Sequence, residues 1–383
     1  MNMMVYEICM SALAIAYALL ILYFYSGWIR LKEVKHSGRL SEKELPRVTV
    51  VIAARNEAAV IRDLIQDIIA QEYPAKLVEI IVVDDFSSDQ TAQLAKNVAP
   101  NNVKVIALAN YLNEDAGRPA HKKVAIETAV KQASGELIVT TDADCRMGPG
   151  WIKSLVNYHL DTNALFIAGP VSYFYDASFL GKFQTLDFLS LVGIGAASIR
   201  NGFYNICNGA NLMYTKAAFL SVNGYENASH TPSGDDMMLM HKIGKKFPGQ
   251  VNFLKDKNAI VSTYTAADFS TFWQQRLRWT SKSTHYEDKR ITLILALVYV
   301  FNLSILIHLI FSAWYPELLR LTMWQFMIKI VVDTFFSHAI AKFFHKEQLL
   351  WSFLPIQLLH IAYIIIVAPA SIFLPYYWKG RKV

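Results

Sequence analysis

The stretch Glu136-Leu137-Ile138-Val139-Thr140-Thr141-Asp142-Ala143-Asp144 decides the fold. An apolar run of strand length ends in two carboxylates, and alternation along an extended chain turns residues two apart to the same face. The same pattern recurs along the chain. Val48 to Ala54 runs into Arg55, Asn56 and Glu57, and Glu79 to Asp84 runs into Asp85. Val103 to Leu108 and Ala164 to Val171 are further apolar runs. Between them lie helical spacings, as in Ile61, Leu64, Ile65, Ile68 and Ile69, or Val124, Ala125, Thr128, Ala129 and Gln132. Strand alternating with helix predicts an α/β domain with a mostly parallel sheet covered on both faces. Ligands of such sheets gather beyond the carboxyl ends of the strands, where these polar residues stand.

The rest of the chain is of another kind. Hydrophobic residues make up 54% of the 383 and charged residues 18%, too oily for a soluble protein and too polar for a transporter throughout. Met1 to Tyr25 carries only Glu7 as a charge and runs into Arg30, Lys32, Lys35 and Arg39. A cleaved signal would have its charges before the apolar run, so this reads as a retained anchor whose basic end faces the cytoplasm. Ile291 to Ala313, free of formal charge, is long enough to cross about 30 Å of hydrocarbon. Leu318 to Ala341 is interrupted by Arg320, Lys329 and Asp333, and Leu349 to Leu374 by Pro355 and Pro369. Four full crossings would leave the tail Trp378, Lys379, Gly380, Arg381 and Lys382 outside, against the charge rule, so one C-terminal segment is expected to be re-entrant or interfacial.

Cys9, Cys145 and Cys207 have no metal-ligand spacing and suggest neither a disulfide framework nor a zinc site. The net charge of +6 comes from basic residues flanking the apolar segments. It points to anionic lipid headgroups, with no nucleic acid expected. The boundaries are an anchor over 1–27, a basic linker over 28–46, the α/β domain over 47–267, an amphipathic interface helix over 268–289 and membrane helices with a basic tail over 290–383.

Asp142 and Asp144 on one side of a strand end suit a hard cation, Mg2+ or Mn2+, with positions left for phosphate oxygens. Taken alone, Asp-x-Asp equally describes a solvated turn. Three more motifs occur in order: Asp84-Asp85-Phe86-Ser87-Ser88-Asp89-Gln90-Thr91, then Gly234-Asp235-Asp236, then Gln275-Arg276-Leu277-Arg278-Trp279. Together the four resemble the family 2 glycosyltransferases of GT-A fold, the group of cellulose, chitin and hyaluronan synthases and ceramide glucosyltransferases. The resemblance covers roughly residues 47 to 285.

It implies a Rossmann-like catalytic domain that takes a nucleotide-diphosphate sugar, with a UDP-sugar the first choice. Ala54, Arg55, Glu57 and Asp85 fall where the base and ribose are held, a carboxylate being able to accept the imide proton of uracil. Asp84 and Asp85 also suit a turn and helix cap before Thr91. His121, Lys122 and Lys123 open a helix near the donor phosphates, and Lys123 is taken as the phosphate partner. Asp144, with Asp142, falls at the metal position. Asp236 falls at the catalytic base, with Asp235 beside it on the acceptor side where the family usually has Glu; either could instead cap the helix that starts at Met237. Arg278 would pair with the diphosphate, and Gln275 and Trp279 would meet the acceptor. The same stretch also reads as an interfacial helix, since Phe269, Phe272 and Trp273 recur at helical spacing. Gly209-Ala210-Asn211 resembles a loop beside the acceptor. A glycosidase does not fit, because Asp142 and Asp144 share one strand end.

The expected activity is inverting transfer of a sugar to a lipid or lipid-linked acceptor at the cytoplasmic face of a cell membrane. A processive polysaccharide synthase is the alternative enzyme. From another class, a transporter or scaffold that senses a nucleotide sugar could use Lys329 and Asp333 as an intramembrane path, although residues four apart also pair across one helical turn.

Overall fold

The structure, a computed structural model, describes residues 3–34, 45–98, 102–112, 121–226, 234–281, 288–378 and 381–382. Lys35 and Arg39 of the basic flank and Lys379 and Gly380 of the tail lie outside them. The chain divides into an α/β unit, Leu31–Tyr175 with Ser198–Tyr264, and a helical unit, Met1–Arg30, Asp176–Ala197 and Thr265–Lys382.

After α1 (Met3–Arg30), the chain enters the α/β unit with β1 (Val48–Ala54), α2 (Ile61–Ile69), β2 (Val78–Asp84), α3 (Thr91–Val98), β3 (Val103–Ala107), α4 (His121–Gln132) and β4 (Leu137–Asp142). It continues through β5 (Arg146–Met147), α5 (Trp151–Thr162), β6 (Phe166–Ala168) and β7 (Val171–Tyr173) to α6 (Phe179–Arg200). Then come β8 (Leu212–Thr215), α7 (Lys216–Ser221), α8 (Asp235–Lys246), β9 (Val251–Phe253) and β10 (Val261–Thr263). The main sheet has the order β3-β2-β1-β4-β8-β6-β9, and β5-β10-β7 form a second sheet.

Strands β3, β2, β1 and β4 pair in parallel; the near-continuous β-branched runs of β1, β2 and β4 are buried, while the edge strand β3 is buried only at Val103 and Ile106. Register then aligns the polar ends. Ala54 stands opposite Asp84, and Ala53 opposite Asp142, so three polar loops leave the sheet at one edge. Strand β8 joins antiparallel and makes the sheet mixed.

The run from Ala164 to Val171, read as one strand, is two strands in different sheets. Pro170 has no amide hydrogen for a ladder. Asn211 fills the break: its side chain donates to the carbonyls of Pro170 (2.9 Å) and Ala259 (2.8 Å) and accepts from the Trp151 indole (2.9 Å). A Cβ at position 169 would collide with that amide, which accounts for Gly169.

The helical unit adds α9 (Phe269–Thr280), α10 (Lys289–Phe311), α11 (Glu317–Phe343), α12 (Phe353–Phe373) and a short hairpin of β11 (Tyr377–Trp378) with β12 (Arg381–Lys382). Among the described residues three segments are long and apolar enough to cross a membrane: Met3–Arg30, Lys289–Phe311 and Glu347–Phe373. Helix α11 is unbroken despite its charges, and its buried face shows how. Lys329 lies 2.7 Å from Asp333 one turn on, and the Tyr17 hydroxyl of α1 donates to Asp333 (2.8 Å) while accepting from Lys329 (3.1 Å). Each charge is thus paired and hydrogen-bonded, the condition under which such groups persist in an apolar interior.

Candidate active site

The site grows from the aligned ends of β1, β2 and β4. The loops after β1 and β2 are laced together: Asn56 accepts from the Ser88 amide (2.9 Å), the Glu57 amide donates to the Thr91 hydroxyl (2.7 Å), and Arg55 Nη1 donates to the Asp85 carbonyl (2.9 Å). Asn56 and Phe86 each adopt a positive φ of 52°, which turns the two loops sharply at the sheet edge. The Asp85 amide donates back to Ala54 (2.8 Å). Asp85 is buried, with one carboxylate oxygen 2.8 Å from Nδ1 of His121, whose ring also meets Phe86. Asp85 is therefore held by α4, and the expected contact with a base falls to its remaining acceptor capacity.

Helix α4 carries this arrangement into the acidic centre. Lys122 Nζ lies 2.7 Å from Asp142 Oδ1 and 3.9 Å from Asp235 Oδ2. Burial opposes its charge, but the carboxylates of Asp142, Asp235 and Asp236 outweigh it and hold the ammonium well above its ordinary value. Lys122 is accordingly charged at any working pH. Sequence reasoning chose Lys123, which is 2% exposed inside the fold; Lys122 is the lysine that reaches the acids. Neighbours on a helix point about 100° apart, and no motif in the sequence chose between them.

Asp235 and Asp236 open α8, where the helix dipole favours negative charge. Gly234 before them is left-handed (φ 82°) and supplies no side-chain cap. Asp235 is buried, while Asp236 accepts from the Gly209 amide (3.2 Å) and from the Met237 amide (2.8 Å). The helix starts at Asp235, two residues before Met237, so both aspartates lie inside its first turn and neither is its cap. The Gly209 carbonyl in turn accepts from Thr140 on β4 (3.1 Å), which fixes this loop to the same strand that ends in Asp142. A Cβ on Gly209 would lie 3.4 Å from Lys122 Nζ and 3.7 Å from Asp235 Oδ2, so position 209 faces the centre. Asn211 is fully buried and spends its amide on the fold, as described above.

Along the end of β4 exposure alternates: Asp142 and Asp144 are half-buried, Ala143 and Cys145 buried. Burial first, then the carboxylates of Asp142 and Asp144, push the Cys145 thiol well up. The donor set is hard oxygen only, which suits Mg2+ or Mn2+. Among the described residues no three His, Cys, Asp or Glu side chains gather to hold a metal unaided.

Gln275, Arg278 and Trp279 lie on α9 in the helical unit, which begins with Asp268 accepting from the Thr271 amide (2.8 Å). Gln275 Oε1 is buried and meets no hydrogen-bond donor among the described residues.

Comparison with known proteins gives the family. Residues 49–219 match the profile of glycosyl transferase family 2, and residues 137–374, more than half of the chain, match glycosyl transferase family group 2. The chain belongs to this glycosyltransferase family. It is 26% identical over 266 residues to the poly-beta-1,6-N-acetyl-D-glucosamine synthase of Staphylococcus aureus (strain COL), covering 67% of this chain and 60% of that protein. The corresponding synthase of Staphylococcus epidermidis (strain ATCC 35984) is 24% identical over 62% of this chain and 54% of its own length. The match thus spans little more than half the length of these relatives. Among solved structures, the mannosyltransferase PcManGT from Pyrobaculum calidifontis, in complex with GDP-Man and Mn2+, superposes with a TM-score of 0.57 at 17% identity, covering 96% of this chain and 98% of that one. The fold is therefore the one the four motifs implied, and the chain is a family 2 glycosyltransferase. The matched region runs across both units and includes the motif on α9.

Proposed function

We propose that this glycosyltransferase moves a sugar from a nucleotide-diphosphate donor, UDP-linked in the first instance, to a hydroxyl of a lipid or lipid-linked acceptor at the cytoplasmic face of a membrane. The observation that carries the reading is the gathering of Asp142, Asp235 and Asp236 around Lys122, at the sheet edge where Asp85 and the loop after Ala54 also end.

The chemistry follows from what these groups can do. Asp236 takes the proton of the acceptor hydroxyl as its oxygen attacks the anomeric carbon, and the bond to the diphosphate breaks on the opposite face, so the configuration inverts. One carboxylate suffices, and no sugar-enzyme bond forms. Lys122 meets the charge that develops on the departing diphosphate, exchanging Asp142 for phosphate oxygens. Asp144 and Asp142 would hold Mg2+ or Mn2+, which when bound supplies further positive charge at the same oxygens. Ala54, Arg55, Glu57 and Asp85 receive the nucleotide. The roles of Arg278 toward the diphosphate and of Gln275 and Trp279 toward the acceptor rest on the motif.

A second reading is favoured by the relatives, which are polysaccharide synthases by name. N-acetylglucosamine is accordingly the first sugar to test, and a growing glycan the rival acceptor. Purified protein is incubated with labelled UDP- and GDP-sugars, Mn2+ and a total lipid extract. Label that moves into the organic phase supports single transfer to a lipid. Long water-soluble polymer made by the purified protein supports the synthase and overturns it.

A further inference from the structure

Arg276, the second residue of Gln275-Arg276-Leu277-Arg278-Trp279, is 1% exposed and so touches no substrate itself. Its guanidinium lies 4.5 Å from the ring centroid of Trp279 and 5.0 Å from that of Phe272, between one aromatic a turn ahead and one a turn behind on α9. Asp187 of α6 meets it at 3.0 Å, and the other oxygen of Asp187 is 3.3 Å from Nε2 of His360 on α12. Phe188, next to Asp187, brings its ring to 5.9 Å from Trp279. The indole is thus bracketed by a guanidinium from its own helix and a phenyl ring from α6.

Burying an ion pair is a poor way to stabilise a helical core, since apolar side chains of similar volume commonly do as well or better. What Asp187, Arg276 and His360 supply is orientation. A planar guanidinium stacks on an aromatic face, and an ion pair on its far side fixes where the plane lies. Burial, first, opposes ionisation of Asp187, but the Arg276 guanidinium and then His360 outweigh it and hold the carboxyl below its ordinary value, so the pair is charged near neutrality.

We propose that Asp187, Arg276 and His360 are positioning residues that set the plane of the Trp279 ring for the acceptor, so that their loss shifts the sugar from acceptor to water. The inference rests on the reading of Trp279 as an acceptor-facing residue. Donor binding belongs to other residues and stays intact. Lysine at position 276 keeps the ion pair but loses the flat stacking surface.

The test uses the full-length protein with labelled UDP-N-acetylglucosamine, Mn2+ and a total lipid extract. It reads the ratio of sugar transferred to sugar released as free N-acetylglucosamine, with calorimetric UDP binding as the check on folding. Asp187→Asn and Arg276→Lys are expected to lower the ratio about tenfold or more while the Kd for UDP is kept, as misplacement of a substrate-orienting group does. Transfer and hydrolysis falling in parallel, or a wild-type ratio in Arg276→Lys, would overturn the positioning role. Trp279→Ala runs alongside: an unchanged ratio there removes the acceptor reading itself. A fall there with no fall in Asp187→Asn or Arg276→Lys removes only the positioning role.

Discussion

At the scale of single residues, the account separates two adjacent lysines. Lys122 Nζ reaches Asp142 and Asp235, whereas Lys123 is enclosed by the fold. Lys122→Met is therefore expected to raise the KM for the donor and lower kcat by at least about tenfold, and also to lower the melting temperature, because it leaves the buried Asp235 carboxylate without its cation. Lys123→Met should leave donor kinetics near normal and show its effect in stability instead; steady-state kinetics and thermal melts of both variants decide the matter. Asp144→Ala, at the proposed cation position, should cost about two decades or more in kcat, in proportion to the charge that develops on the leaving group. Excess Mn2+ should restore part of that loss by mass action. Asp85, Asp142 and Asp144 were legible in the sequence because each follows an apolar run of strand length, whereas Asp235 and Asp236 were legible only through the motif that resembles the family's. Lys122 was not, because the facing of α4 depends on how Ala125 and Ala129 pack in the core, which spacing alone does not give.

At the scale of elements, Glu79 joins three pieces of the sheet. It accepts from Thr49 on β1 (2.6 Å) and from the amide and hydroxyl of Ser134 before β4 (2.8 and 3.0 Å). Partial burial opposes its charge, but the hydrogen bonds from Thr49 and Ser134 outweigh this and hold the carboxyl below its ordinary value of 4.5. A depressed carboxyl stabilises the fold above that ordinary value, and the contribution is lost as pH falls through the lowered one. The melting temperature should accordingly drop as pH falls below the ordinary value of 4.5, and Glu79→Gln should flatten part of that drop while lowering stability at neutral pH. A variant with the same acid slope as wild type would remove Glu79 from the account. The order and extent of β1 to β4 were readable from β-branched runs. The division of Ala164 to Val171 between two sheets was not, because it turns on Asn211, distant in sequence, which occupies the gap at Gly169 and Pro170.

At the scale of the whole molecule, the apolar composition gave the membrane segments, and the structure changes how two of them read. Helix α11 keeps its charges by pairing Lys329 with Asp333 under the hydroxyl of Tyr17, so a helix that looks interrupted in sequence is continuous. The same pairing explains these charges without a transport path. The end of the chain turns back: the Tyr377 amide donates to Gln274 on α9 (2.9 Å), and the ring of Tyr363 on α12 lies 5.9 Å from Phe272. The tail hairpin thus belongs with α9, and the end of α12 is predicted to lie on that side. A cysteine placed at Lys382 in an otherwise cysteine-free chain should resist a membrane-impermeant maleimide in intact cells and react after permeabilisation. Labelling in intact cells would place the tail outside.

The proposed transfer rests on Asp236, at the start of α8 where it accepts from the Gly209 amide and acts on the charge of Lys122, removing the acceptor proton. The most direct measurement compares wild type and Asp236→Asn, purified side by side, for sugar transfer from labelled UDP-N-acetylglucosamine and for UDP binding. The account predicts that the variant binds UDP as wild type does while transfer falls by about two decades or more. Transfer at the wild-type rate by a folded, UDP-binding Asp236→Asn protein would contradict it.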